Sequence, residues 1–140
     1  WRVSHSISES QTFAGPSIKH DISVPVGRMR LFLERCAEQL ERQEPSARPV
    51  IFGHVGDGNL LYNLTVPEDV AADANRVRAV TKTLYALVAE LGGSFSAYHG
   101  VGVTKRAWLM EYRGSTELAL MRQLKRALDP QGLLNPGKVI

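Results

Sequence analysis

The segment VIFGHVGDGNLLYNLTV at residues 50–66 contains two runs of β-forming residues on either side of a short glycine-rich stretch. The runs cover residues 50–54 and 60–66, and Asp57-Gly58 lies between them. An Asp-Gly pair between two such runs is typical of a β-hairpin, because glycine readily adopts the positive φ angle that a tight turn requires. The segment therefore predicts two neighbouring antiparallel strands.

Apolar and polar positions alternate in the second of these strands and in an earlier strand at residues 18–24. Successive side chains of a strand point to opposite faces of the sheet, so each set shares one face. The face that is expected to be covered carries Ile18, His20, Ile22, Val24, Leu60, Tyr62, Leu64 and Val66. The opposite, open face is mostly polar and carries Lys19, Asp21, Ser23, Leu61, Asn63 and Thr65.

Two amphipathic helices are predicted between and after these strands. The first begins at Pro25 and ends before Pro45, with apolar residues at helical spacing. The second begins at residues 67–69 and continues without interruption to Gly92-Gly93. The remaining predicted elements are a short fourth strand at 94–97 and helices near 104–112 and 115–128.

The resulting order of elements, β-α-β-β-α-β, predicts an α+β fold of the ferredoxin-like type, with extra helices at its C-terminal end. In that fold two helices cover one face of an antiparallel sheet, and the other face carries none. In a larger protein an uncovered polar face can form one wall of a ligand pocket. The 140 residues suit one domain, and a start at Trp1 rather than Met suggests a piece of a longer protein.

Composition and charge argue against several classes of protein. Apolar residues make up 44% and charged residues 22% of the chain, which is typical of a globular protein. The net charge is only +3, and no run of basic residues forms a nucleic-acid patch. No apolar run approaches the ~18 residues of a membrane-spanning helix. The single cysteine, Cys36, leaves no internal disulfide and fits a cytoplasmic location, with peripheral attachment to the inner membrane as the alternative.

Two histidines stand at positions where the backbone would hold a side chain rigidly. His54 ends a strand directly before the tight turn, and it either packs on the hairpin or contacts a metal ion or substrate. His99 precedes Gly100 in a glycine-rich turn, and it either packs locally or faces a cleft. His5 and His20 are interpreted as structural. The spacing of the four histidines does not by itself indicate a metal site.

Four motifs along the chain resemble those of one protein family. They are GHVGDGNL at 53–60, YHGVG at 98–102 with Lys105, LDP at 128–130 and LNPGKV at 134–139. In this order they resemble the C-terminal domain of FAD-linked oxidases, in the vanillyl-alcohol-oxidase-like superfamily of D-lactate, glycolate and D-2-hydroxyglutarate dehydrogenases. KHDISVP at 19–25 resembles the first strand of that domain, and the resemblance extends over residues 1–140.

The resemblance implies that the chain is the cap, or substrate-binding, domain of a two-domain flavoenzyme. FAD would be bound mainly by the protein's own N-terminal domain, which is absent from this chain, and the fragment alone would be inactive. The family's reaction moves a hydride from the carbon that bears a hydroxyl group to flavin N5. The match to the family implies His99 as the catalytic base and, as substrate-binding residues, Lys19, Asn63, Ser8 and His54. The cofactor-binding residues implied in the same way are Asn135 and Lys138.

The chain departs from the family at the residues that hold a divalent metal ion in some members. Those members use the histidine of the Gly-His pair, a second histidine further along the next strand and a glutamate before the His-Gly turn. Here the first position is His54, but the other two are Leu61 and Tyr98. One ligand of three is too few for a catalytic zinc ion, so we predict no metal. An arginine that the family carries near the N-terminus is Ser4 here, which weakens the expected clamp on a carboxylate.

These departures favour a substrate that is less polar than a metal-chelated dicarboxylate, namely a small hydroxy acid or alcohol in a drier pocket lined by Leu61 and Tyr98. The electron acceptor and a homodimer stay open, and no nucleic-acid partner is expected. A second enzymatic interpretation is a metal-independent flavoprotein of the alkyl-dihydroxyacetone-phosphate-synthase type. A third is a non-enzymatic ferredoxin-like ligand-binding module. RNA recognition by that fold needs aromatic residues on the open face, whereas Tyr62 is expected on the covered one.

Overall fold

The computed structural model describes residues 15–140, which belong to two compact units. The first unit ends at Tyr98, and the second covers His99–Ile140. The described part of the first unit contains β1 Ser17–Ser23, α1 Met29–Gln43, β2 Arg48–His54, β3 Asn59–Thr65, α2 Glu68–Ala72 and α3 Ala74–Glu90. The second unit contains α4 Gly102–Tyr112 and α5 Ser115–Leu128.

The predicted hairpin is confirmed. Strands β2 and β3 pair in antiparallel fashion, and Gly58 in the turn between them has a φ angle of +73°. A Cβ atom at Gly58 would lie 2.2 Å from the carbonyl oxygen of Val24, so the turn requires glycine. The N–H group of Val24 donates a 2.9 Å hydrogen bond to the backbone oxygen of Gly58, which joins the hairpin to the segment after β1.

The three strands form one antiparallel sheet in the order β1-β3-β2. The register places Lys19 opposite Asn63 and Asp21 opposite Leu61, so these side chains share one face, as predicted. The same face continues onto β2 with Arg48, Val50, Phe52 and His54. We call this surface the open face of the sheet.

Helices α1 and α3 cover the other face and bury the core. Phe32 of α1 packs edge-on against Tyr62 of β3, with ring centroids 5.9 Å apart. His20 has the predicted structural role, because its Nδ1 lies 3.0 Å from the backbone oxygen of Tyr62 and its Nε2 lies 3.1 Å from the hydroxyl oxygen of Thr81 on α3. Tyr62 is fully buried between the layers, where it cannot stack with RNA bases.

The second long helix is not continuous, and the prediction of one helix from residues 67–69 to Gly92 is wrong. Asp73 has an extended backbone and separates α2 from α3. Its carboxylate accepts hydrogen bonds of 2.9 and 3.2 Å from the N–H groups of Asn75 and Arg76. An aspartate that satisfies the first donors of a helix favours a new helix start over continuation of the previous one.

The fourth strand predicted at 94–97 is not confirmed, because only a single bridge forms there. Ser94 exchanges two 2.8 Å backbone hydrogen bonds with Ser23 at the edge of β1. The Ser94 hydroxyl then donates to the oxygen of Ser96 and accepts from its N–H group, and such local bonds compete with strand pairing. The described fold is therefore α+β with a three-stranded antiparallel sheet.

The second unit consists of α4, α5 and a turn-rich tail. Its two helices confirm those predicted near 104–112 and at 115–128. The buried apolar residues of these helices are Trp108, Leu109 and Leu118. No helix within residues 15–140 combines the length and apolar character that crossing a membrane would require.

Candidate functional site

Lys19 and Asn63 are neighbours on the open face. They are directly opposite each other in the pairing of β1 with β3, a position that places the two Cβ atoms about 5 Å apart. Lys19 is exposed, whereas Asn63 is only 4% exposed. The pair places an exposed ammonium group, which can bind a carboxylate, beside a buried amide.

His54 lies at the end of β2 in a backbone conformation that depends on the preceding glycine. Gly53 has a φ angle of +155°, and a Cβ atom there would lie 2.3 Å from the backbone oxygen of Asn59. The imidazole is exposed, and its Nδ1 lies 2.6 Å from the hydroxyl oxygen of Tyr98. The two rings meet edge-on with centroids 5.9 Å apart. His54 therefore forms a side-chain hydrogen bond with Tyr98, in addition to its position on the hairpin.

Tyr98 is held from β1 by Asp21. The backbone N–H of Tyr98 donates to both carboxylate oxygens of Asp21, at 3.1 and 3.0 Å. Asp21 is only 5% exposed. Burial of Tyr85, and to a smaller extent the nearby charge of Asp21, raises the pKa of Tyr85 to about 12. No role was predicted for Asp21, and Tyr98 was predicted only to line the pocket at the position where some family members carry a glutamate ligand.

The residues at the family's metal positions do not fit a metal ion. His54 is followed at the other two positions by Leu61, which has no donor atom, and by Tyr98, whose hydroxyl group contacts the His54 ring instead. In residues 15–140 no group of three or more histidine, cysteine, aspartate or glutamate side chains could hold a metal ion. A site without metal stays a prediction, and no chemical step is assigned to a metal ion.

His99 is the first residue of the second unit, in the loop that leads to α4. The side chain is exposed, and two of the next three residues, Gly100 and Gly102, have φ angles of +74° and +57°. This left-handed backbone favours glycine and fixes the path of the loop on the C-terminal side of the histidine. The predicted role of His99 as a base stays a prediction.

Asn135 and Lys138, the predicted cofactor-binding residues, line one cavity in the second unit. The cavity has a volume of about 240 Å³, and its other lining residues are Lys125, Leu134, Val139 and Ile140. Asn135 has a φ angle of +46°, and the N–H of Lys138 donates to its backbone oxygen at 3.3 Å. The turn thus brings an amide and an ammonium group to one concave surface.

Asp129 holds this C-terminal turn in place. Its carboxylate accepts hydrogen bonds from the ammonium group of Lys125 and from the N–H groups of Leu133 and Leu134, the latter two at 2.8 and 2.9 Å. The bond from Lys125 is the largest of the effects that lower the pKa of Asp129 to about 2. The ionised carboxylate therefore stabilises the loop that precedes Asn135.

Replacing Asp129 with asparagine should destabilise the protein at neutral pH, and the difference from wild type should shrink in acid. The folded pKa of about 2 lies below the unfolded value of about 3.9, so the stabilisation is present above about pH 4 and is lost as the pH falls toward about 2. Urea unfolding followed by tryptophan fluorescence at several pH values measures the difference. A difference that stays constant between neutral pH and about pH 2 would contradict this account.

Cys36 is a core residue and offers no reactive thiol. It is fully buried on α1, and burial raises its pKa to about 11. The nearby Tyr62 hydroxyl is also buried, its pKa is raised by the same cause, and it has no hydrogen-bond partner among the described residues. Both groups lie on the covered side of the sheet.

Two predicted positions fall outside the described residues. Ser8 was predicted to contact substrate, and Ser4 occupies the position of a family arginine. Both precede residue 15, and the predictions for them stay open to test.

Comparisons with known proteins agree with the motifs. The model of the family described as FAD linked oxidases, C-terminal domain, matches residues 1–139. The chain is 41% identical to a D-2-hydroxyglutarate dehydrogenase of Xanthomonas citri pv. viticola, over 99% of this chain and 30% of that protein. It is 38% identical to one of Stutzerimonas stutzeri, over 99% of this chain and 30% of that protein. It is 34% identical to a mitochondrial one of Danio rerio, over 100% of this chain and 25% of that protein.

Proposed function

The chain belongs to the family of C-terminal domains of FAD linked oxidases, and on that premise we propose that it is the substrate-binding cap of an FAD-dependent dehydrogenase of hydroxy acids. The observation that carries the proposal is the pairing of Lys19 with the buried Asn63 on the open face. An ammonium group binds the carboxylate of a hydroxy acid, and the amide beside it orients the adjacent hydroxyl group. The names of the relatives, which specify a hydroxy acid, support the same class of substrate.

In the proposed reaction the hydroxy acid is oxidised to the corresponding oxo acid. FAD, when bound, supplies the acceptor of the hydride at flavin N5. His99 takes the proton of the substrate hydroxyl group while the C–H bond breaks and the C=O bond forms, which is general base catalysis by an exposed imidazole. Lys19 and Asn63 hold the carboxylate end, so that the reacting carbon is presented in one orientation.

Asn135 and Lys138 are proposed to contact FAD. Both line the cavity of about 240 Å³ in the second unit, and an amide with an ammonium group suits the carbonyl oxygens and phosphates of the cofactor. The chain spans only 25–30% of the length of the curated relatives named above. We therefore assign most of the FAD binding to an N-terminal domain of the same protein.

The substrate is proposed to be a hydroxy acid with a less polar end than the dicarboxylate named in the relatives, bound without a metal ion. Leu61 lies directly opposite Phe52 on the open face, so two apolar side chains stand where a metal ligand would otherwise be. Apolar groups there exclude water and disfavour a second carboxylate. We keep the electron acceptor unspecified and propose a cytoplasmic location on the single cysteine.

The finer fold proposed for the complete protein is the ferredoxin-like βαββαβ sheet. The side-by-side order of Ser94, β1, β3 and β2 supports it, because a fourth strand next to β1 would complete that arrangement. The position of α1 and α3 on one face of the sheet supports it as well.

The test is to express the full-length protein, which should bind FAD, and to add hydroxy acids in the absence of oxygen. D-lactate, 2-hydroxyisocaproate and D-2-hydroxyglutarate differ in the polarity of the end that would face Leu61 and Phe52. We expect the flavin absorbance to bleach, and faster with the less polar acids. A protein that binds FAD but whose flavin is bleached by none of the three hydroxy acids would contradict the proposed function.

A further inference from the structure

The hydrogen-bonded pair of Tyr98 and His54 occupies the end of the open face where some family members hold a metal ion. We propose that Tyr98, positioned by Asp21 and joined to His54, donates a hydrogen bond to the hydroxyl or oxo oxygen on the reacting carbon of the substrate and so replaces the metal ion as the anchor at this end. The inference rests on the proposed function, because it takes the bound molecule to be a hydroxy or oxo acid. Tyr98 is then a substrate-binding residue and Asp21 a positioning residue.

Asp21 fixes the backbone of Tyr98. Both oxygens of the Asp21 carboxylate accept from the same N–H group, and Asp21 is 5% exposed. Hydrogen bonds to an ionised acceptor are stronger than those between neutral groups, and low solvent exposure strengthens them further. Asp21 lies in the middle of β1, so Tyr98 is attached to a regular strand and not to another loop.

The side chain of Tyr98 is directed toward His54. The backbone of Tyr98 is bonded to β1, and its hydroxyl oxygen lies 2.6 Å from His54 on β2. Strand β3 lies between these two strands, so the contacts of Tyr98 join the β1 side of the sheet to the β2 side at the end where β3 begins. The open-face residues of β3 at this end are Asn59 and Leu61. The hydroxyl group of Tyr98 is therefore placed above the same surface as Lys19 and Asn63.

The hydrogen bond between His54 and Tyr98 can form with either tautomer of the imidazole. When Nδ1 of His54 carries a proton, it donates to the Tyr98 oxygen, and the phenol O–H can donate elsewhere. When Nδ1 accepts from the phenol, Nε2 of His54 carries the proton and can donate. In either tautomer the neutral pair carries one more N–H or O–H proton than the hydrogen bond between the two rings uses, and both side chains are exposed. A donor at this place suits the hydroxyl oxygen of a hydroxy acid or the carbonyl oxygen of an oxo acid, whereas a cation would find no ionised ligand in the pair.

The experiment compares Tyr98→Phe with Tyr62→Phe in the full-length protein. Both changes remove one phenol hydroxyl, but Tyr62 lies on the covered face and its hydroxyl has no partner among the described residues. We expect Tyr98→Phe to raise the KM for the hydroxy acid about 3- to 10-fold, as for the loss of a hydrogen bond between neutral groups, with a much smaller change in kcat. Tyr62→Phe should leave both constants unchanged.

Binding without turnover separates this inference from the proposed function. The dissociation constants of pyruvate and 2-oxoglutarate, measured from the change in the flavin spectrum, should rise in Tyr98→Phe by a factor similar to that in KM. The double variant Tyr98→Phe/His54→Ala should bind the oxo acids about as tightly as the single variant with the higher dissociation constant, because the two groups act together. Equal constants for wild type and Tyr98→Phe, or fully additive effects, would overturn the inference. Absence of bleaching in a wild-type protein that binds the oxo acids through Tyr98 would overturn only the proposed reaction.

Asp21 gives a second test of positioning. Asp21→Asn keeps one oxygen that can accept from the Tyr98 N–H, whereas Asp21→Ala keeps none. We expect the KM of Asp21→Asn to lie between those of wild type and Asp21→Ala, and Asp21→Ala to add nothing in a Tyr98→Phe background. An Asp21→Ala effect of the same size in both backgrounds would show that Asp21 acts on folding alone, and would overturn its positioning role.

Discussion

Replacing His99 with alanine should slow the bleaching of the flavin by hydroxy acid about 10²- to 10⁴-fold, the usual contribution of a positioned general base. The proposed role of His99 is to accept the hydroxyl proton as the hydride leaves, so its loss should act on the chemical step. Lys19 and Asn63 would still hold the carboxylate, and the oxo acid should therefore bind with nearly unchanged affinity. Stopped-flow absorbance of the full-length protein measures the rate, and the flavin content shows that FAD is retained.

Added imidazole gives the control for His99→Ala. If the variant lacks only a base, imidazole in solution should restore part of the bleaching rate without altering the affinity for the oxo acid. The loop after residue 99 follows the positive φ angles of Gly100 and Gly102, which the substitution leaves in place. A variant that bleaches at the wild-type rate would show that another group accepts the proton.

The elements that the sequence predicted well are those defined by neighbouring residues. The hairpin depends on Asp57-Gly58 between two β-forming runs, and the structure places a left-handed glycine there. Helix α1 and helix α5 depend on apolar spacing and on proline or aspartate at their ends, and both formed with bounds close to the predicted ones. Alternation was also sufficient to place Lys19 and Asn63 on one face, because the period of a strand is fixed.

The features that the sequence did not predict depend on competition or on distant contacts. Asp73 can occupy either a helix interior or a cap, and the choice to cap α3 follows from the bonds to Asn75 and Arg76. The contact between Asp21 and Tyr98 joins residues 77 positions apart, so no local pattern indicates it. The signal in the sequence was a tyrosine at a position where some family members carry a glutamate, and it did not indicate which residue the phenol would contact.

Two residues at this end of the open face differ from the ligands that the resemblance implies for metal-binding members of the family. Leu61 contributes apolar surface next to Phe52. Tyr98 contributes a hydroxyl group beside His54. If these two positions alone keep the proposed site free of metal, restoring the two ligands should create a metal site.

Leu61→His combined with Tyr98→Glu should give the full-length protein the ability to bind about one zinc ion per chain, whereas the wild type should bind none. Position 61 lies on the open face of β3, and the 2.6 Å contact of the Tyr98 hydroxyl with Nδ1 of His54 shows that the side chain at position 98 is directed toward this histidine. Two histidines and a glutamate then supply three ligands, the number that a zinc site with one open position uses. Zinc content after dialysis, measured by atomic absorption, gives the stoichiometry.

Thr65→His combined with Tyr98→Glu is the matched control, because it adds the same side chains on the same face of β3 but displaces the new histidine by four residues, about 13 Å along the strand. That distance is far beyond the ~2.1 Å of a zinc–nitrogen bond, so the control should retain no zinc. Retention by both variants would show adventitious binding. About one zinc per flavin in the wild-type protein would contradict the proposal of a metal-free site, since Leu61 and Tyr98 leave His54 as the single family ligand at this position.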